Sequence, residues 1–145
     1  MLLLKSTKRN LTYLSINNMK KELANPPSDE RDRELWMQHG AGYIIFENIR
    51  KYAIGKIPTE IDETLREAHL KTIDNTIYGM MMQMDGVFNP LENENYRLAL
   101  ESHIVLYKED EIIEELNTID GDGMCMGFHG WIENDFGSDE IVIKK

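Results

Sequence analysis

The chain has 145 residues, 41% hydrophobic and 29% charged, and a formal net charge of −10. This composition is near the globular average, so a disordered chain is excluded and one compact domain over 1–145 is expected, with a core that needs no metal or disulfide staple. The longest apolar runs, such as Leu2-Leu3-Leu4 and Met80-Met81-Met82, fall far short of the ~20 residues of a bilayer span, so no membrane partner is expected.

Residues 1–10 carry Lys5, Lys8 and Arg9 behind a tiny apolar patch, the reverse of a secretory signal, and form a basic arm free to dock on the body or to stay mobile. The single cysteine, Cys125, excludes an internal disulfide, and with that start it leads to the expectation of a cytoplasmic protein. Leu11, Leu14, Ile16, Met19 and Leu23 suggest a helix over 9–24. Asn25-Pro26-Pro27 interrupts it, and Ser28 ahead of Asp29 and Glu30 suits an N-cap with acids in the first turn. Leu35, His39, Gly42, Phe46, Ile49 and Ala53, widened by Trp36 and Tyr43, form an apolar stripe that predicts a helix over 29–53. Gly40 and Gly42 within it imply either a close neighbour or a break. Thr59 and Asp62 resemble a capping box opening a helix over 59–84, in which Ile61, Leu65, Ala68, His69, Ile73, Ile77, Met80, Met81 and Met84 share one face. Asp85-Gly86 ends it.

From Tyr96 the period changes to two, with Tyr96, Leu98, Leu100, Ile104 and Leu106 on one side, which predicts a strand over 96–107. Lys108-Glu109-Asp110 reads as a turn, and 111–117 as a second strand, with a helical turn as the rival. Asp120 to Gly123 is a loop. Met124, Phe128, Trp131, Ile132 and Phe136 fit a short helix near 124–136, against which Gly127 and Gly130 favour a strand. Ile141, Val142 and Ile143 give a last strand at 139–143. Helices first and strands later, without a βαβ alternation, predict an α+β fold whose N-terminal helices pack on a small antiparallel sheet.

Charge is unevenly spread: residues 1–21 carry +5, and the residues from Asp85 onward carry −11. Such a body repels phosphate, so nucleic acid is not an expected partner, whereas a basic protein is. Glu109, Asp110, Glu111, Glu114 and Glu115 are the densest acids and the candidate partner-binding residues, though a solubilising face explains them as simply.

Three constellations invite chemistry. Cys125, His129 and Glu133 are spaced four apart and would share a helix face, placing a thiol beside an imidazole biased by a carboxylate, the elements of a nucleophile or a zinc site. A lone cysteine between two methionines is more often a small buried hydrophobe. His39, His69 and His129 sit in or beside apolar stripes and would make a zinc or iron site if they converged, although none has an i+4 ligand partner and each is explained as well by a hydrogen-bonded core histidine. The Asp120-Gly121-Asp122-Gly123 loop lacks the ligand spacing of a calcium loop. Four methionines within Met80–Met84 point several ways around a helix, so one is expected at a surface or a partner, which would favour a homodimer. No phosphate-binding loop or nucleophile elbow occurs.

No cofactor is therefore expected. The chain has the general character of small acidic inhibitor, immunity or regulatory proteins, an analogy that no particular residues carry. The leading expectation is an interaction module binding a basic partner, with a small metal- or thiol-dependent hydrolase and a self-associating structural protein as alternatives.

Overall fold

Two consecutive prolines separate the first described strand from the first helix. The computed structural model describes residues 21–121, 123–133 and 141–144, so the basic arm 1–10 and most of the helix expected over 9–24 lie outside the described residues. The end of that expected helix is instead a strand, β1 (Lys21–Leu23), antiparallel to the C-terminal strand Val142–Lys144. Leu23 stands opposite Val142, and the Ala24 N–H donates to the Ile141 carbonyl at 2.9 Å. Asn25 precedes Pro26 and Pro27, and a proline both disfavours helical backbone before it and lacks the N–H a helix would use.

Helix α1 (Glu30–Ile45) is capped by Asp29, one residue after the expected Ser28, with its carboxylate accepting the Asp32 N–H at 3.1 Å. It does not break at Gly40 or Gly42. It runs into a π-helical turn, Phe46–Arg50, and then α2 (Lys51–Ile54), which stops at Gly55. The wider π turn shifts the phase of the stripe. Trp36, Met37, Gln38, Gly42, Tyr43 and Phe46 are buried, while Ile49, expected inside, is exposed.

Helix α3 (Glu63–Met84) starts at Asp62, whose side chain accepts the Leu65 N–H at 2.9 Å, so Asp62 is the cap itself and not the partner of Thr59. Only its C-terminal half is strongly covered: Ile77 and Met81 are buried, whereas Leu65, Ala68 and His69 are exposed. Met80, Met82 and Met84 are half-buried around the core, so this run presents no open methionine face.

The strand expected over 96–107 is divided. β2 (Leu91–Glu92) pairs with β3 (Arg97–Leu98), and β4 (His103–Lys108) pairs with β5 (Glu111–Asn117), both antiparallel. The residues between β3 and β4 leave the ladder at a polar anchor. Buried Thr118 donates its N–H to the Ser102 carbonyl at 3.0 Å and its hydroxyl to the Met84 carbonyl, tying the foot of the hairpin to the end of α3. A 3-10 turn, Met124–Gly127, leads into α4 (Phe128–Ile132), so the short helix expected near 124–136 is present; residues 134–140 lie outside the described residues. The C-terminal strand, β6, pairs with β1 and not with the β4–β5 hairpin. The described strands therefore form three two-stranded pairs where one small sheet was expected.

The fold is α+β, and the described residues form two clusters of buried side chains. Phe46, Ile77, Met81, Met124, Cys125, Phe128 and Trp131 join α1, α3 and α4. Trp36, Met37, Leu106, Leu116 and Ile141 seat the β4–β5 hairpin and the start of β6 against α1.

Candidate functional site

The polar residues of the first cluster are organised by Asp85, directly after α3. Its two carboxylate oxygens accept the Met124 and Cys125 N–H groups, each at 2.9 Å, and so satisfy donors that open the 3-10 turn and have no partner within it. Gln38, buried on α1, accepts the Gly123 N–H at 2.7 Å and fixes the adjoining loop. The sequence pattern does not mark Asp85, Gln38 or Thr118 as polar anchors. Gln38 left one signal, a neutral polar side chain directly after Trp36 and Met37, whereas Asp85 read only as a helix terminator and Thr118 carried no pattern.

This arrangement places Cys125 in the core. Burial, reinforced by the Asp85 carboxylate, pushes its thiol up to about 11, so at neutral pH it keeps its proton, the opposite of what a nucleophile or metal ligand requires. His129 is exposed, with its ring 5.1 Å from that of Tyr78, and Glu133 is exposed at the end of α4. The 3-10 geometry of 124–127 takes Cys125 off the helical face that the four-residue spacing assumed.

The three histidines are likewise dispersed. His39 is half-buried with its ring edge-on to Trp131 at 6.4 Å, His69 is exposed about two turns before α3 becomes buried at Ile77, and His129 is on α4. Among the described residues no group of three or more His, Cys, Asp or Glu side chains is placed to hold a metal ion.

The acids of the β4–β5 hairpin divide in two. Glu114 is ion-paired with Arg33 of α1, which raises the guanidinium pKa above its ordinary value, and Glu115 bonds the His103 ring at 2.7 Å. Glu109, Asp110 and Glu111 remain at the exposed tip, with Glu111 across from Lys108. Of the five candidate partner-binding acids, Glu114 thus ties the hairpin to α1 and Glu115 links its two strands.

The largest departure from the sequence pattern is the arm between α3 and β4. Tyr96, Leu98 and Leu100 alternate as the apolar face of a strand, yet they are 77%, 70% and 66% exposed, and Leu91, paired with Leu98 across the ladder, is 75% exposed. Val87 and Phe88 at the base are also exposed. Arg97, Ala99 and Leu100 line a cleft against Gly86, Phe88 and Ile119 of the body, so Leu100 borders the body although it is largely exposed. Leu91, Tyr96 and Leu98 line a second, open concavity with Glu92, Asn93 and Arg97. The Asn93 side-chain oxygen accepts the Asn95 and Tyr96 N–H groups at 2.9 Å each, which holds the tip of the arm in a tight turn. The arm is thus built, with Leu91, Tyr96 and Leu98 facing outward.

No helix among the described residues is long and apolar enough to cross a membrane. Comparison with protein-family models, curated proteins and solved structures finds no match.

Proposed function

We propose that this chain is an acidic protein-interaction module whose contact surface is the β2–β3 arm. The observation that carries this reading is the outward apolar face of Leu91, Tyr96 and Leu98 on a hairpin held by its own hydrogen bonds. Scattered exposed apolar residues are ordinary on a monomer, whereas a contiguous group rimmed by charge marks a binding surface. A protein surface is the occupant that suits a shallow, open face of this kind, since small-molecule sites are concave and enclose their ligand. The excess of acid over base supports a basic partner and fast, salt-sensitive association.

The test is site-specific photo-crosslinking in cell extract, with a benzophenone side chain at Leu98 and, as a control, at exposed Tyr52 on α2. A discrete protein adduct at position 98 that is absent at position 52 and weakens with added salt is the expected result. Equal labelling from both positions would dispose of the arm as a contact surface.

A further inference from the structure

We infer that the arm takes an extended peptide segment in which apolar residues alternate with Lys or Arg, an inference that rests on the interaction reading above. Tyr96 and Leu98 present apolar side chains at alternate positions about 7 Å apart, with Leu91 beside Leu98 across the ladder, which is the repeat of an extended chain laid alongside. A helix, with its apolar residues three and four apart, does not reproduce that spacing.

The charges choose between occupants. Glu92 borders the open concavity, Glu94 lies in the turn at the tip, and Glu101 follows Leu100, all three exposed. Glu101 accepts from the Asn117 amide at 3.0 Å. Arg97 is the one cation between Leu91 and Glu101, and it stands opposite Glu92 in the ladder. A second copy would bring the same acids against these and a further −10 of net charge, which disfavours self-association. Lys or Arg between the apolar positions of a partner strand would meet Glu92, Glu94 and Glu101 while its apolar side chains cover Leu91, Tyr96 and Leu98.

The experiment is fluorescence anisotropy of the full chain with a labelled eight-residue peptide of alternating Lys and Val, compared with an alternating Glu and Val peptide. The Lys-Val peptide is expected to bind and the Glu-Val peptide not to bind. Leu98→Asp, at a side chain the fold leaves exposed, and Tyr96→Ser, as a second variant, are expected to abolish binding while the circular dichroism spectrum stays unchanged. Replacing Glu92, Glu94 and Glu101 by Gln is expected to weaken binding about tenfold, the effect of two or three exposed charge pairs. The same replacement at Glu60, Glu63 and Glu67, at the far end of α3, is expected to change it little. Equal losses from the two triple variants, or undiminished binding to Leu98→Asp, would reduce the effect to bulk charge and overturn the inference. A dimer in sedimentation that Leu98→Asp dissolves would put a second copy on the face and also overturn it. If the peptide fails to bind while the crosslink at position 98 persists, only the chemistry assigned to the partner falls; loss of both removes the interaction reading as well.

Discussion

Trp131 lies so close to Gly42 that a β-carbon on that glycine would sit 2.4 Å from Cη2 of the indole, 2.8 Å from Cζ3 and 3.0 Å from the Met124 carbonyl oxygen. Phe46 and Tyr43 meet the same indole edge-on, at ring separations of 6.1 and 6.5 Å. The glycine therefore provides the notch in α1 into which α4 locks. Gly42→Ala gains helix propensity but forces a buried ring and a backbone carbonyl aside, so a net loss of about 2 kcal/mol is expected in urea unfolding. Gly79 on α3 has nothing within 4 Å of its would-be β-carbon, and Gly79→Ala should gain about 0.5–1 kcal/mol. Equal responses at the two positions would contradict this packing.

Asp85 is the next test, because one carboxylate serves two buried N–H groups. Asp85→Ala strands both donors and should cost about 2–4 kcal/mol, whereas Asp85→Asn keeps one acceptor oxygen and should fall between that variant and the wild type. Chemical unfolding ranks the three proteins. An Asn variant as unstable as the Ala variant would mean that the charge, and not the number of acceptors, sets the contribution.

At the tip of the β4–β5 hairpin, Glu109 has φ of 56°, in the left-handed region that glycine enters without strain. Glu109→Gly should therefore stabilise the fold by about 0.5–1 kcal/mol, in contrast to most substitutions to glycine. A lower melting temperature for this variant would show that the side chain contributes more than its backbone strain removes.

Where the sequence could be read and where it could not follows from the range of the forces involved. Helices α1 and α3 and strand β5 lie inside their expected spans because local periodicity and caps specify them; even so, Asp29 and Asp62 displaced Ser28 and Thr59 at the caps, one and three residues away. The strand Lys21–Leu23 was read as helix because its partner, Val142–Lys144, is at the other end of the chain, and no local pattern encodes that pairing. The apolar alternation from Tyr96 to Leu106 is visible, but not that the chain leaves the ladder after Leu98, with Thr118 bonded to the Ser102 and Met84 carbonyls, so that Tyr96 and Leu98 stay exposed while Leu106 is buried. The spacing of Cys125, His129 and Glu133 assumed α-helical geometry throughout; the 3-10 turn at Met124–Gly127 and the carboxylate of Asp85 are tertiary facts, and they put the thiol in the core.

Burial of the Cys125 thiol governs both its reactivity and its pH dependence. At neutral pH, Cys125 should react with an aromatic disulfide reagent far more slowly in the native protein than after unfolding, since it is both covered and protonated. Deprotonation of the unfolded chain begins near the ordinary thiol value of 9.0, while the folded chain holds its proton to about 11. Over that interval the folded state binds more protons than the unfolded state, so the contribution of this group is fully present below pH 9 and is lost as pH rises towards 11. Tyrosines and lysines titrate in the same range, so the quantity to measure is the difference in unfolding free energy between wild type and Cys125→Ala as a function of pH. The wild type should lose ground steadily from pH 9 to 11 and run parallel to the variant below that range; parallel curves throughout would mean that the thiol titrates alike in both states and is not buried as described.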